Sequence, residues 1–187
     1  MRYILTLSIV VFLPFLSYTQ GLSYKHPFSG SYFPEKIGSF LIIEPKIYDK
    51  IGLNVGVGYS IANEIELTEF IYPATGINKN SLAEEHYEAY KKDALLAYHP
   101  EIQIIEERNL MPNGKNGKFG KFEYEGLFHG AQRKLISYLY IFEDKGWFIK
   151  IRASYTIDKD KSAERKQICD EEIFNYIKQI PWPTKER

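Results

Sequence analysis

The most regular alternation of apolar and polar residues lies in residues 51–61. Every second position there is large, namely Ile51, Leu53, Val55, Val57, Tyr59 and Ile61. Because successive side chains of a strand point to opposite faces, this pattern predicts a β-strand with all its large residues on one side. Its other side carries Gly56 and Gly58 and is almost bare. We therefore expect either a bent strand or another group in close contact with the backbone there.

Six further apolar segments predict strands at residues 37–47, 64–72, 101–107, 118–128, 133–143 and 146–155. Turn-forming residues separate them, including Ala62-Asn63, the Asn-Gly pairs within residues 111–117, His129-Gly130 and the tight turn Asp144-Lys145-Gly146. Connections this short make neighbouring strands antiparallel.

Helical spacing occurs in two places. Ser81 and Glu84 form a capping box, and the helix that it begins has a stripe of Ala83, Tyr87, Tyr90, Ala94 and Tyr98 before His99-Pro100 ends it. Residues 161–180 predict a second helix, with Cys169, Ile173, Ile177 and Ile180 on one stripe. The predicted fold class is α+β, an antiparallel sheet of about seven strands in the order β-β-β-α-β-β-β-β-α. With the helices packed on it, this is an α/β/α sandwich.

The N-terminus has the pattern of an export signal. Arg2 precedes an apolar run, residues 4–16, and Ser17 and Thr19 suit a cleavage before Gln20. The run is shorter than the roughly 20 residues of a bilayer span and contains Pro14, so we predict a cleaved signal peptide, residues 1–19, and no membrane span. No cysteine lies near the cut, which predicts no lipid anchor. Residues 20–34 then predict an extended arm, and residues 35–183 a single domain.

The charge balance and the cysteine count limit the classes of partner and the sources of stability that we expect. The chain balances 24 basic against 24 acidic residues, which argues against nucleic acid or an anionic membrane as the main partner. Its only cysteine, Cys169, cannot form an internal disulfide and lies on the apolar stripe of the second helix. We expect the exported protein, periplasmic or secreted, to be stabilised by its core.

No motif predicts catalytic residues, a cofactor or a metal. Gly56-Val57-Gly58 lacks the third glycine and the helix of a dinucleotide loop. The lysines and glycines of residues 114–121 lead into a strand, without the Gly-Lys-Ser/Thr of a phosphate loop. The four histidines have no metal-binding spacing.

One pair of neighbouring strands suggests a binding surface. Tyr138 and Tyr140 lie on one row of the first strand, and Lys150 and Arg152 lie on one row of the second. If the two rows share a face, the cations would sit among tyrosines, an arrangement that suits a carboxylate or a protein partner. Alternatively, the tyrosines and the Arg152 stem cover the second face of the sheet beneath the N-terminal arm.

From Phe33 to Trp182, the order of elements resembles a PsbP-like or DcrB-like α/β/α sandwich. The residues that carry the resemblance include Leu139-Tyr140-Ile141, residues 146–153 and a final helix that ends in Pro-Trp. It implies a mostly non-enzymatic family of assembly subunits, transport accessories and chaperone-like binders, and it transfers no functional residue. We therefore favour an exported binding or accessory protein with a protein or small-molecule partner. The alternative is a small hydrolase-like enzyme that uses Glu123, Glu125 and a histidine.

Overall fold

The alternating segments form an antiparallel sheet in a computed structural model, which describes residues 22–62, 64–74, 82–157 and 162–187. The predicted signal peptide lies outside these ranges, as does Ser81 of the predicted capping box. The strands in chain order are β1 (Tyr24–Lys25), β2 (Tyr32–Phe33), β3 (Lys36–Ile37), β4 (Phe40–Ile47), β5 (Val55–Ile61), β6 (Ile65–Pro73), β7 (Gln103–Leu110), β8 (Gly117–Phe128), β9 (Ala131–Asp144) and β10 (Trp147–Thr156). The first two strands pair with each other, and the other eight form the main sheet in the spatial order β3-β4-β5-β6-β10-β9-β8-β7.

Two α-helices pack on opposite faces of this sheet. Helix α1 (Leu82–Tyr90) lies over β8 and β9, and we call its side of the sheet the α1 face. Helix α2 (Ala163–Ile177) begins at Ser162, whose hydroxyl accepts a hydrogen bond from the Arg165 N–H at 3.2 Å, and it covers the opposite, α2 face. The predicted α+β class, with helices packed on an antiparallel sheet, is confirmed. A short 3₁₀ turn, Pro112–Gly114, precedes β8.

The first helix departs from the predicted stripe because it continues as a π-helical segment, Lys91–Leu96. A π turn accommodates one extra residue, which changes the side chains that face inward after Tyr90. Leu95 is buried as a result, whereas Tyr98, the predicted last member of the stripe, is 77% exposed.

Strand β5 begins four residues later than the alternation predicts. The Asp49 carboxylate accepts hydrogen bonds from four consecutive backbone N–H groups, those of Ile51, Gly52, Leu53 and Asn54, at 2.6–3.0 Å. These donors are therefore used within the β4–β5 loop and not for strand pairing.

The N-terminal segment and the C-terminal tail meet at one end of the sheet. Residues 20–34, for which the sequence predicts an extended arm, contain the β1–β2 hairpin. Its connecting turn holds His26, which is fully buried and meets the Trp147 ring edge-on at 5.2 Å. The Ser29 carbonyl accepts hydrogen bonds from the N–H groups of Thr184 and Lys185, both at 2.9 Å. These contacts fix the hairpin to the end of the chain.

Candidate functional site

The turn between β9 and β10 decides which candidate residues share a face. It contains only Lys145 and Gly146, both with positive φ (54° and 77°), as a two-residue hairpin turn requires. Asp144 consequently pairs with Trp147, and each residue of β10 faces a partner one position further along β9 than a three-residue turn would give it.

This register separates the four predicted binding residues. Lys150 lies opposite Ile141, and Arg152 lies opposite Leu139, so both cations belong to the α1 face. Tyr138 and Tyr140 point to the α2 face, where they are nearly fully buried. The structure does not bring the two tyrosines and the two cations together.

On the α2 face, the tyrosines form part of a closed hydrogen-bond network. The hydroxyls of Tyr138 and Tyr155 both donate to the Asp170 carboxylate of α2, the second at 2.5 Å. Lys121 donates to the other oxygen of Asp170 at 2.7 Å. Burial, followed by the hydrogen bond to Asp170, raises the pKa of Tyr138 well above its ordinary value. These contacts attach α2 to the sheet and leave no open surface at Tyr138.

On the α1 face, side chains of neighbouring elements cover the bare side of β5. A Cβ added to Gly56 would lie 3.1 Å from ring atoms of both Phe70 and Tyr48. One added to Gly58 would lie 3.3 Å from Ile43. The predicted close approach to the backbone is confirmed. Without a side chain at position 56, the rings of Phe70 and Tyr48 can approach β5 closely and form one side of a pocket.

Lys150 lies in this pocket, surrounded by aromatic rings. Its Nζ atom is 4.2 Å from the ring centroid of Tyr90, 4.3 Å from that of Phe70 and 5.6 Å from that of Tyr72. Ammonium groups are attracted to the faces of aromatic rings at such distances, most strongly when water is excluded. Three rings around one half-buried cation form a partial aromatic cage.

The pocket is built by three parts of the fold. Phe70, Tyr72 and Lys150 of β6 and β10 form its floor, helix α1 contributes His86 and Tyr90, and the β4–β5 loop contributes Tyr48 and Asn54. The hydrogen bond from the Tyr48 N–H to the Asn54 carbonyl, at 2.8 Å, closes that loop beneath the two side chains. The cavity is open to solvent and has a volume of about 330 Å³, which is at the small end of the range for ligand sites.

The wall on the side of α1 is held in place by His86. Its ring stacks on Phe148 with centroids 4.3 Å apart, and its Nε2 atom lies 2.5 Å from the Tyr72 hydroxyl. Burial, and then the charge of Lys150, lowers the pKa of His86. Burial raises the pKa of Tyr72, so this hydroxyl stays protonated and donates to a neutral imidazole. The pocket thus contains one cation and uncharged polar groups.

No acidic side chain lines this pocket among the described residues. Burial, followed by the charge of Arg152, lowers the pKa of Lys150 to about 8. Near neutral pH the amine is therefore still mostly protonated, in apolar surroundings and without a counter-ion. An anionic group entering the pocket would provide the missing charge.

The sequence contains a signal for this pocket that periodicity alone does not reveal. Phe70 and Tyr72 lie on the same row of β6 as Glu66 and Thr68, the row that alternation assigns to solvent. Two aromatic residues on a polar row, together with Gly56 on the next strand, indicate a second buried patch. The contributions of Tyr90, His86 and the β4–β5 loop depend on tertiary packing and have no local signal.

The groups that the hydrolase alternative requires are not assembled. Glu123 and Glu125 are opposite Ile136 and Lys134 on the α2 face, and Glu123 forms an ion pair with Lys134. His86 and His99 pack on the α1 face, against Phe148 and Tyr124 respectively. Within the described ranges, no group of three or more His, Cys, Asp or Glu side chains could hold a metal ion. None of the helices described there is both long and apolar enough to cross a membrane.

No protein-family model matches this sequence, and no curated protein is similar to it. The fold is similar to that of a protein of unknown function from Pseudomonas aeruginosa, at 10% identity over 82% of this chain and 91% of that one, with a TM-score of 0.46. It is also similar to cyanobacterial PsbP from Synechocystis, at 12% identity over 82% and 89% of the two chains and a TM-score of 0.47. A variant of the protein Mog1 aligns at 8% identity over 85% and 92%, with a TM-score of 0.48. PsbP is thus among the solved structures that this chain resembles, as its sequence predicts, and the likeness is one of fold only.

Proposed function

We propose that this chain is an exported, non-enzymatic binding protein whose ligand is a small anion with an apolar or aromatic body, held in the Lys150 pocket. The observation that carries the proposal is the position of Lys150. Its ammonium lies among three aromatic rings, in an open cavity without an acidic lining residue. An unpaired cation in such surroundings lowers the stability of the folded protein. A role in ligand binding explains why the protein has a lysine at this position in spite of that cost.

The pocket has both features that recognition of such a ligand requires. The rings of Phe70, Tyr72 and Tyr90 offer apolar walls on which a planar body can stack. Their presence excludes part of the water around Lys150, which strengthens its attraction for a ligand carboxylate or phosphate. The uncharged His86 and the Asn54 side chain provide hydrogen-bonding groups that can orient the ligand.

Benzoate is a suitable first probe because it combines a flat ring with one carboxylate. We expect an NMR titration to shift backbone amide signals of β10 and α1, and we expect Lys150→Met to weaken binding by about tenfold or more, since a charge-assisted hydrogen bond is lost. Lys178→Met is the matched control, because Lys178 also lies over an aromatic ring, that of Phe174 at 4.5 Å, but both residues are exposed, Phe174 on α2 and Lys178 directly after it.

The pH dependence of benzoate affinity is a second, independent test of the site. Since the pKa of Lys150 is lowered to about 8, benzoate affinity should fall as pH rises from 7 to 9 and the ammonium loses its proton. In Lys150→Arg the guanidinium stays charged, so this fall should disappear. Binding that is equal in the parent protein and in Lys150→Met would contradict the proposed site.

Export is tested separately, on the full-length chain in a bacterial host. Mass spectrometry of the protein recovered outside the cytoplasm should find an N-terminus at or within two residues of Gln20. Val11→Arg places a charge in the apolar run and should leave the uncleaved chain inside the cell, whereas Ser8→Ala should be exported normally. An exported protein that still begins with Met1 would contradict cleavage.

A further inference from the structure

A second cavity adjoins the Lys150 pocket on the same face of the sheet. Its volume is about 220 Å³, and its lining includes Arg152, Thr68 and Ser154. Phe70 lines both cavities and is their common wall. A ligand in the first pocket would therefore meet the second one directly across the Phe70 ring.

Among the residues that the structure describes, Arg152 resembles Lys150 in having no counter-ion. The acidic residue in its cavity is Glu66, whose Oε1 atom lies 3.3 Å from the His129 Nδ1 atom. No carboxylate lies within ion-pair distance of Arg152 in the parts of the chain that the structure describes. Lys150 and Arg152 are two positions apart on β10, so their side chains leave the same face about 7 Å apart.

Two unneutralised cations side by side are unusual for this molecule. By contrast, the partly buried Lys121 and Lys115 each have an acidic partner, Asp170 at 2.7 Å and Asp144 at 2.6 Å. On the α1 face the like charges of Lys150 and Arg152 repel each other, and this repulsion contributes to the lowered pKa of Lys150. A ligand that neutralised only Lys150 would leave Arg152 without a partner.

We propose that the ligand is elongated and carries two acidic groups, one bound by Lys150 and the other by Arg152, with its body lying over Phe70. This inference rests on the proposed function and narrows its ligand class to dianions with separated charges. Thr68 and Ser154 border Arg152 and supply hydroxyl groups for the second acidic group. The apolar cage receives one end of the ligand, and the more polar cavity receives the other.

The test compares three probes of similar size by NMR titration at one ionic strength: benzoate with one carboxylate, terephthalate with two separated carboxylates, and phenyl phosphate with its charge on one group. We expect terephthalate to bind about tenfold or more tightly than benzoate, because a second charge-assisted contact is formed. Arg152→Met should remove this advantage, so that terephthalate binds the variant no more tightly than benzoate does. A melting curve of the variant, with a midpoint close to that of the parent protein, checks that it is folded.

The outcomes separate the inference from the function on which it rests. If no probe shifts the signals of the pocket, the proposed function fails. If benzoate binds through Lys150 but terephthalate binds no more tightly, only the two-group ligand is overturned. The two-group ligand is also overturned if phenyl phosphate binds as tightly as terephthalate, or if Arg152→Met weakens the binding of benzoate and of terephthalate by the same factor. In either case the total charge of the ligand, and not the spacing of its acidic groups, would determine affinity.

Discussion

The two faces of the sheet differ in whether their buried charged groups have partners within the protein. On the α2 face, Asp170 accepts hydrogen bonds from Tyr138, Tyr155 and Lys121, and Tyr176 donates to the buried Glu69 at 2.8 Å. Both oxygens of Asp170 thus have partners within the protein, whereas Glu69 has one at Oε2 and, among the described residues, none at the buried Oε1. On the α1 face, beside the edge of α1, Lys150 lies among aromatic rings without a carboxylate.

This difference indicates a structural role for the polar groups of the α2 face and a binding role for Lys150 on the α1 face. The hydrogen bonds to Asp170 are completed within the chain, so they link α2 to the sheet and leave no oxygen of Asp170 for a ligand to pair with. An unpaired cation in an open cavity adds no such link, and it lowers stability through lost hydration. The α2 face should therefore respond to substitution mainly in stability, and the α1 pocket mainly in binding.

The largest expected effect comes from Glu69, which is fully buried on the α2 face. Burial, only partly offset by the Tyr176 hydrogen bond, raises the pKa of Glu69 to about 8. At acidic pH the carboxyl is protonated in both folded and unfolded chains. Between about 4.5 and about 8 only the unfolded chain loses the proton, so the free energy of unfolding should fall with rising pH by about 1.4 kcal/mol per unit.

Urea unfolding of the parent protein and of Glu69→Gln across this pH range isolates the effect. The glutamine variant should lack the loss, so the difference between the two should change by about 4 kcal/mol from pH 4.5 to pH 8. Glu66→Gln, on the exposed row of the same strand, is the control and should follow the parent protein. A constant difference between parent and Glu69→Gln would mean that Glu69 is ionised in the folded chain.

A second comparison removes one apolar side chain from each face. Ile173 of α2 is fully buried, and Ile173→Ala should cost about 3 kcal/mol through lost transfer energy and a residual cavity. Phe70 is only partly buried at the wall of the Lys150 pocket, and Phe70→Ala should cost about 1 to 2 kcal/mol. Benzoate titration should give the reverse order, with binding lost in Phe70→Ala and kept in Ile173→Ala. Equal stability losses would remove the distinction between the faces.

The sequence predicted the strands well because their residues carry local signals. Alternation located β5 to β10, and the glycines at positions 56 and 58 indicated a close approach that Phe70, Tyr48 and Ile43 provide. These features depend on which residues are large and which are absent, and both can be read within one segment.

Register was the weak point of the prediction, because it depends on a single residue in a turn. Asp144-Lys145-Gly146 predicted a tight hairpin without fixing its register, and in the structure Asp144 belongs to β9 and only Lys145 and Gly146 form the loop. Shifting one strand by one residue moves its whole row to the other face. In the observed register, the tyrosine row and the cation row lie on opposite faces of the sheet. Lys150 instead contacts aromatic residues of β6 and α1, and no local sequence pattern predicts that these elements approach it.

The smallest expected effect has the opposite sign, and it tests the α1 pocket most directly. Lys150→Met replaces an amine whose charged form is disfavoured in the folded protein with an apolar side chain of similar length. Since Lys150 is partly exposed and water screens its charge, we expect a gain of only about 1 kcal/mol in the free energy of unfolding at pH 7. Lys178→Met, on the exposed surface of α2, should change stability by less than about 0.5 kcal/mol.

The pH dependence of the free energy of unfolding is an independent test of whether the charge of Lys150 lowers stability. With the pKa of folded Lys150 at about 8 and the ordinary value at 10.5, the folded chain releases a proton that the unfolded chain still holds. The parent protein should therefore gain stability from pH 8 towards pH 10, beyond which the buried tyrosines reverse the trend because their raised pKa values keep them protonated only in the folded state. Lys150→Met should lack this gain. If the variant is instead less stable by 1 kcal/mol or more and keeps its affinity for benzoate, Lys150 serves packing like the residues of the α2 face, because a binding residue should show higher stability together with lost binding.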